Sequence, residues 1–177
     1  MIILINRRDR VLHYFFRNPT TEIHVRGLSR ALGISSPWII KITDELRKNG
    51  LLAVHKDKGL KLVHANTENA NFKAMKRAYN LYSVFGSGFV DSIVAEYNHP
   101  ECIVLFGSYA RGEDTEESDI DVAVITPRNS GKDWHKAAQK LGRNVAVKEL
   151  RSGGIAKEFL NTLANGIVLY GYLTVMR

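Results

Sequence analysis

The residues able to do chemistry are concentrated in one stretch. Leu105-Phe106-Gly107-Ser108-Tyr109-Ala110-Arg111-Gly112 is followed, after a polar loop, by Ser118-Asp119-Ile120-Asp121-Val122-Ala123-Val124. Asp119 and Asp121 are two apart, so on a strand both carboxylates leave one face. Like charges at that spacing repel and call for a shared partner. A hard divalent cation such as Mg²⁺ is the natural one, because it takes one or two carboxylates and fills its remaining positions with phosphate oxygens and water. Phosphate-binding groups stand just upstream. Gly107 lets backbone approach a ligand closely, Ser108 offers a hydroxyl, and backbone N–H groups at a helix start attract anions. Arg111, one turn on, can add positive charge against a triphosphate. A phosphate cradle beside paired carboxylates points to metal-dependent phosphoryl or nucleotidyl transfer.

The flanking pattern supplies the elements that must position these groups. Ile103 to Phe106 is an apolar run that reads as a buried strand. It stops at Gly107-Ser108, where a short turn of helix is predicted. Ile120, Val122 and Val124 leave the face opposite the two aspartates and are built to pack. Asn144 to Leu150 reads as a third strand, with Val145 and Val147 toward the helices and Ala146 and Lys148 toward the site. Helices are predicted over 89–97, 132–141 and 155–163. The alternation predicts a small α+β domain of a few strands, with helices on one face of the sheet and the open face carrying Ser108, Asp119 and Asp121.

Gly107, Ser108, Arg111, Gly112, Ser118, Asp119 and Asp121 together resemble the nucleotidyltransferase superfamily that includes DNA polymerase beta, in its minimal branch. The family reads Gly-Ser, then Arg-Gly, then Ser-Asp-x-Asp leading a strand, and Gly166-Ile167-Val168-Leu169-Tyr170-Gly171 looks like its closing segment. The resemblance implies Asp119 and Asp121 as catalytic metal ligands for Mg²⁺. It implies Gly107, Ser108, Arg111 and Ser118 as nucleotide-binding residues. It also implies a third carboxylate on the next strand, beside the aspartate pair. That position holds Ala146. Glu149 has the wrong parity unless a bulge re-aims it, and Lys148 could neutralise the pair without metal.

Other bulk properties bound the reading. The 177 residues allow one domain or two small ones, and the hydrophobic content of 45% is ordinary for a globular chain. Cys102 is the single cysteine, inside an apolar run, so a disulfide framework within the chain is excluded and a reducing, cytoplasmic setting is expected. Met1 to Ile5 is too short for a signal core or a membrane span. The six histidines lack metal-ligand spacing in the chain, which argues against zinc. Charge divides unevenly. Residues 1–85 hold 15 Lys and Arg against 6 Asp and Glu, a balance of +9, whereas residues 86–177 hold 10 against 12, a balance of −2. The basic half is the one suited to nucleic acid.

That half has its own pattern. Asp9 to Arg17 reads as a helix ending near Asn18-Pro19, and Val25 to Leu32 as a second, stopped by Gly33. A third runs from Pro37 to Lys48, with Ser36 as N-cap and Ile39, Ile42 and Leu46 on one face. Leu51–His55 and Leu60–Ala65 read as a hairpin around Lys56-Asp57-Lys58-Gly59. Leu28, Ala31-Leu32-Gly33-Ile34-Ser35, Ile39, Ile42, Leu46 and Gly50-Leu51 resemble a winged helix-turn-helix. This implies a recognition helix over 37–48 and a wing at the hairpin, with Ser36, Trp38, Lys41, Arg47, Lys56 and Lys58 as DNA-binding candidates and Lys61 close by. Trp38 and Ile40 are apolar for such a surface. They either meet thymine methyl groups or are buried against a partner chain or the second domain.

Thr67 to Phe85 reads as a long helix, broken by Gly86-Ser87-Gly88. The expected organisation is a winged helix-turn-helix over 1–66, a connecting helix and hinge over 67–87, and a minimal nucleotidyltransferase-like domain over 88–177. The function this implies is a DNA-binding protein with a Mg²⁺-dependent nucleotidyltransferase domain. Its substrates are a nucleoside triphosphate and an acceptor hydroxyl, with a partner protein among the acceptors. The alternative is a transcriptional regulator or antitoxin-like protein that binds nucleotide or a partner without catalysis. Double-stranded DNA is the expected macromolecular partner, no membrane is involved, and paired half-sites would suit a homodimer.

Overall fold

The computed structural model describes residues 6–57 and 59–174. The chain forms two compact units, residues 1–76 and 77–177.

The first unit opens with helix α1 (Arg7–Arg17), whose N-cap Asn6 accepts from Asp9 N at 2.9 Å. It ends where Asn18 Nδ2 and Asn18 N both donate to Tyr14 O, just before Pro19. A two-residue strand β1 (Ile23–His24) follows, then α2 (Val25–Leu32) and α3 (Ser36–Lys48). Strand β1 is too short to leave a periodic signal and was not foreseen. Gly33 closes α2 with φ of +61°, a conformation that favours glycine. The cap of α3 is Ser35 rather than Ser36. Pro37, whose ring suits the first turn of a helix, has Ser36 ahead of it as the first helical residue. Strands β2 (Leu52–Asp57) and β3 (Leu60–Ala65) complete an antiparallel sheet of order β1-β3-β2. Val11, Leu12, Phe15, Leu28, Ile39, Leu46, Leu52 and Val63 form the buried interior. Lys58 lies outside the described residues.

The division between units falls inside α4 (Ala70–Gly86). Phe72 packs on Phe16 in the first unit, at 5.2 Å between rings. Val84 joins the interior of the second. There, α5 (Phe89–Glu96), β4 (Cys102–Phe106), α6 (Gly107–Arg111), β5 (Ile120–Ile125), α7 (His135–Leu141), β6 (Val145–Leu150), α8 (Lys157–Ala164) and β7 (Ile167–Gly171) follow in turn. The sheet order is β6-β5-β4-β7. Strands β5 and β6 are parallel and the other pairs antiparallel.

Alternation sorts the side chains of this sheet to two faces. Ile103, Leu105, Ile120, Val122 and Val124 pack against Val84, Phe89, Val90, Ile93 and Trp134. Cys102, Val104, Ala123 and Ile125 face the other way and pack with Leu163, Ile155 and Phe159. The expectation of helices on one face is therefore corrected. Helix α8 covers part of the second face, because four fully or nearly buried apolar residues there need a lid. A one-residue slip of β5 would turn Asp121 inward and carry Ile120, Val122 and Val124 off the larger core, so the register is strongly held. Among the described residues, no helix is long and apolar enough to cross a membrane.

Candidate functional site

Strand β4 ends at Phe106, which pairs with Asp121 across the ladder. Gly107 then turns with φ of +75° to start α6. A Cβ on Gly107 would run into Asp121 Oδ2. Glycine is thus required twice, for its left-handed backbone and for the close approach of a carboxylate. The turn carrying Ser108 is in this way fitted against the aspartate. Asp121 is half-buried and Asp119, immediately ahead of β5, is exposed. Burial first, and the charge of Asp119 second, hold the Asp121 carboxyl above its ordinary range. Among the described residues no cation pairs with it: Lys148 Nζ lies 4.3 Å from the centre of the Phe159 ring instead. Two carboxylates, one ionised at a penalty, beside a turn that a methyl group would fill, fit a hard divalent cation with phosphate.

The loop between α6 and β5 is anchored by residues that the pattern of the chain did not mark. Asp114 is fully buried. It accepts from Asn80 Nδ2 at 2.7 Å, and its other oxygen lies 3.3 Å from Arg143 Nη2. Asn80 also donates to Tyr109 O at 2.9 Å, and Arg143 to Thr115 O. Ser118 Oγ accepts from Thr115 N at 2.9 Å, closing the loop just before Asp119. Ser118 therefore serves as a loop fastener here. Arg111 Nε donates to Glu113 Oε2 at 2.6 Å on the surface. Asn80 and Arg143 lie far from the motif in sequence, so only the fold brings them to it.

Strand β6 settles the parity of the third carboxylate. Ala146 registers directly with Asp121, in an unbroken parallel ladder from Val145 to Leu150. Glu149 is on the other face, where it accepts from Tyr97 OH at 2.7 Å and Ser130 N at 2.8 Å. Those bonds, the Ser130 one foremost, lower its pKa, while burial and then Glu149 push the Tyr97 phenol up. Glu149 is committed to structure, and no bulge re-aims it.

In the first unit, Trp38 and Ile40 are 44% and 40% exposed on α3. Two cations lie near the Trp38 ring, Arg7 Cζ at 5.0 Å and Lys41 Nζ at 5.1 Å from its centre. Arg47 is exposed in the last turn of α3, and Lys56 faces Lys61 across the hairpin. A groove is lined by Arg26, Arg30, Ser36, Ile40, Leu60 and Lys61. Arg26 and Arg30 were not among the candidates. Their spacing of four on a helix was the available signal.

Residues 90–172 match the family described as Polymerase beta, Nucleotidyltransferase. Two curated relatives come from Methanocaldococcus jannaschii, and each carries the name "Putative protein adenylyltransferase". One is 50% identical over 38 residues, 21% of this chain, and the other 68% identical over 28 residues, 16% of this chain. The chain spans 38% and 28% of the length of these relatives. No solved structure matches the chain. The second unit thus carries a nucleotidyltransferase-like domain.

Proposed function

We propose that this protein transfers a nucleotidyl group from a nucleoside triphosphate to a hydroxyl of a protein acceptor. Asp119 and Asp121 would hold Mg²⁺, which when bound would offset the negative charge on the phosphates. The observation that carries this reading is the fit of the Gly107–Ser108 turn against Asp121. It brings a phosphate-binding turn and a metal-type carboxylate within atomic contact. In the reaction, the acceptor oxygen bonds to the α-phosphorus, the bond from that phosphorus to the bridging oxygen breaks, and pyrophosphate leaves. Ser108 grips the departing phosphates, and Arg111 exchanges Glu113 for a phosphate oxygen. With Ala146 across from Asp121, the hydroxyl proton goes to solvent or to a group on the acceptor. The names of the relatives favour adenylate as the group and protein as the acceptor.

The first unit is proposed as a winged helix-turn-helix that binds double-stranded DNA through Ser36, Trp38, Lys41, Arg47, Lys56 and Lys58, as a homodimer on paired half-sites. The basic charge and the exposed α3 support this. A second reading follows from Ala146: a DNA-binding regulator whose second domain senses nucleotide without transfer.

Titration of the four nucleoside triphosphates with Mg²⁺ separates these readings, using the intact chain and its Asp119→Ala/Asp121→Ala variant, with pyrophosphate release followed in the same samples. Variant-sensitive binding with turnover supports transfer. Variant-sensitive binding that yields no pyrophosphate with any acceptor protein supplied supports sensing. Absence of nucleotide binding overturns both.

A further inference from the structure

We infer a second metal site in the first unit, for a zinc-class divalent transition ion, formed by Glu22, His55 and His64. The three residues are scattered through the chain, yet one ligand atom from each lies within 4.8 Å of the others. Topology explains why. Ala53 pairs with His64 and His55 with Leu62, so the two histidines are diagonal neighbours on β2 and β3. Ile23 pairs with Val63, so Glu22 falls one step further along, beside His64 and on its face. The opposite face carries the partly buried Val54 and the buried Val63. Three adjacent strands thus present two imidazoles and a carboxylate outward.

The distances favour a shared ion over direct bonding. His55 Nε2 lies 3.7 Å from Glu22 Oε2, and His64 Nδ1 lies 3.7 Å from Glu22 Oε1. These separations are too long for hydrogen bonds. Two ligands on a tetrahedral zinc, each about 2.0–2.1 Å from it, stand roughly 3.3 Å apart, so a small contraction would seat the ion. His64 Nδ1 is sealed from solvent and has no hydrogen-bond partner, which leaves a nitrogen lone pair or proton unspent. The imidazole rings lie 5.4 Å apart at 60°, as two ligands converging on one point can. Two histidines and a glutamate suit zinc or cobalt rather than magnesium. Three protein donors leave one position for water.

The test uses the full chain, freed of any affinity tag and of metal, with Asp119→Asn/Asp121→Asn as background so that the other carboxylate pair is silent. Zn²⁺ and Co²⁺ alone are the probes. One equivalent of Zn²⁺ should bind, and Co²⁺ should give the intense visible bands of a four-coordinate nitrogen and oxygen site. His64→Gln and, separately, Glu22→Gln should each weaken Zn²⁺ binding at least about tenfold, with the far-ultraviolet circular dichroism unchanged. Imidazole NMR signals of the background chain give a reading that needs no further variant: those of His55 and His64 should shift with Zn²⁺ while the other four stay. Failure to bind Zn²⁺, or binding that leaves both imidazoles unmoved, would overturn the site. Either result leaves the nucleotide readings untouched.

Discussion

Strands β5 and β6 lie side by side, run in the same direction and carry similar alternating residues, yet they are treated oppositely by the fold. In β5 every residue except Asp121 is buried, whereas in β6 none is. Asp121 is flanked by buried residues along its strand, pairs with Phe106 across the ladder and lies close against Gly107 in the turn that follows. Ala146, directly opposite on β6, stands in the open. The half of the site proposed to grip phosphate is thus built into the interior, and the half where the family resemblance implies a further acid sits on an edge strand. A substitution at a buried position of β5 disturbs packing, whereas one at the exposed Ala146 of β6 leaves the packing intact. That is why a third acid could be exchanged for alanine with little consequence for the fold, while the Gly107–Asp121 pair could not be altered alone.

The largest expected effect tests the buried half. Asp119→Ala/Asp121→Ala should lower pyrophosphate release by at least about 10³-fold, read in a coupled assay with Mg²⁺ and ATP. Next comes the loop that feeds β5. Asp114→Ala removes the carboxylate that faces the buried Arg143 charge and should destabilise the chain by about 3–5 kcal/mol, measured by urea unfolding. If the loss is below about 1 kcal/mol, the loop is not anchored as described.

The open half predicts a gain. Ala146→Asp restores the carboxylate beside Asp121 at an exposed position, so stability should hardly change while transfer rises by about 10²-fold. No rise in single-turnover rate would mean that β6 takes no part in the chemistry. Gly107→Ala should be smaller in effect but felt on both counts. Left-handed backbone strains alanine by about 1–2 kcal/mol, and the methyl group displaces Asp121, so nucleotide affinity should fall about tenfold by calorimetry.

The smallest effect is a pH dependence. Asp121 titrates above its ordinary value in the folded chain, so the folded state binds the proton more tightly than the unfolded one. Stability from this group is present at acid pH and is lost as pH rises from the unfolded value through the folded one. Without metal, Asp121→Asn should therefore raise the melting temperature at neutral pH. The gain should vanish once pH falls below the ordinary carboxylate range, as a melting series would reveal.

Local signals made much of this legible in the chain. Gly107-Ser108 and Ser118-Asp119-x-Asp121 are contiguous, and the two-residue period of β5 alone tells which side chains pack and which point to the site. Gly33 and Pro37 likewise bracket α2 and α3, because φ restrictions act on single residues. The wrong parity of Glu149 could be read from alternation too, and the unbroken ladder to β5 agrees with it.

What the chain could not reveal depends on which distant segments meet. Asn80, Asp114 and Arg143 have no common spacing, and their convergence rests on α4 and the connection between α7 and β6 meeting one loop. The covering of the second sheet face by α8 follows from the surplus of apolar residues on β4 and β5, which alternation shows but does not assign to a helix. Glu22, His55 and His64 illustrate the limit most sharply. Their separations carry no ligand signature, because an antiparallel ladder brings together residues whose distance along the chain depends on turn length and strand register. Residue type and period determine local structure; only register and packing determine which side chains share a point in space.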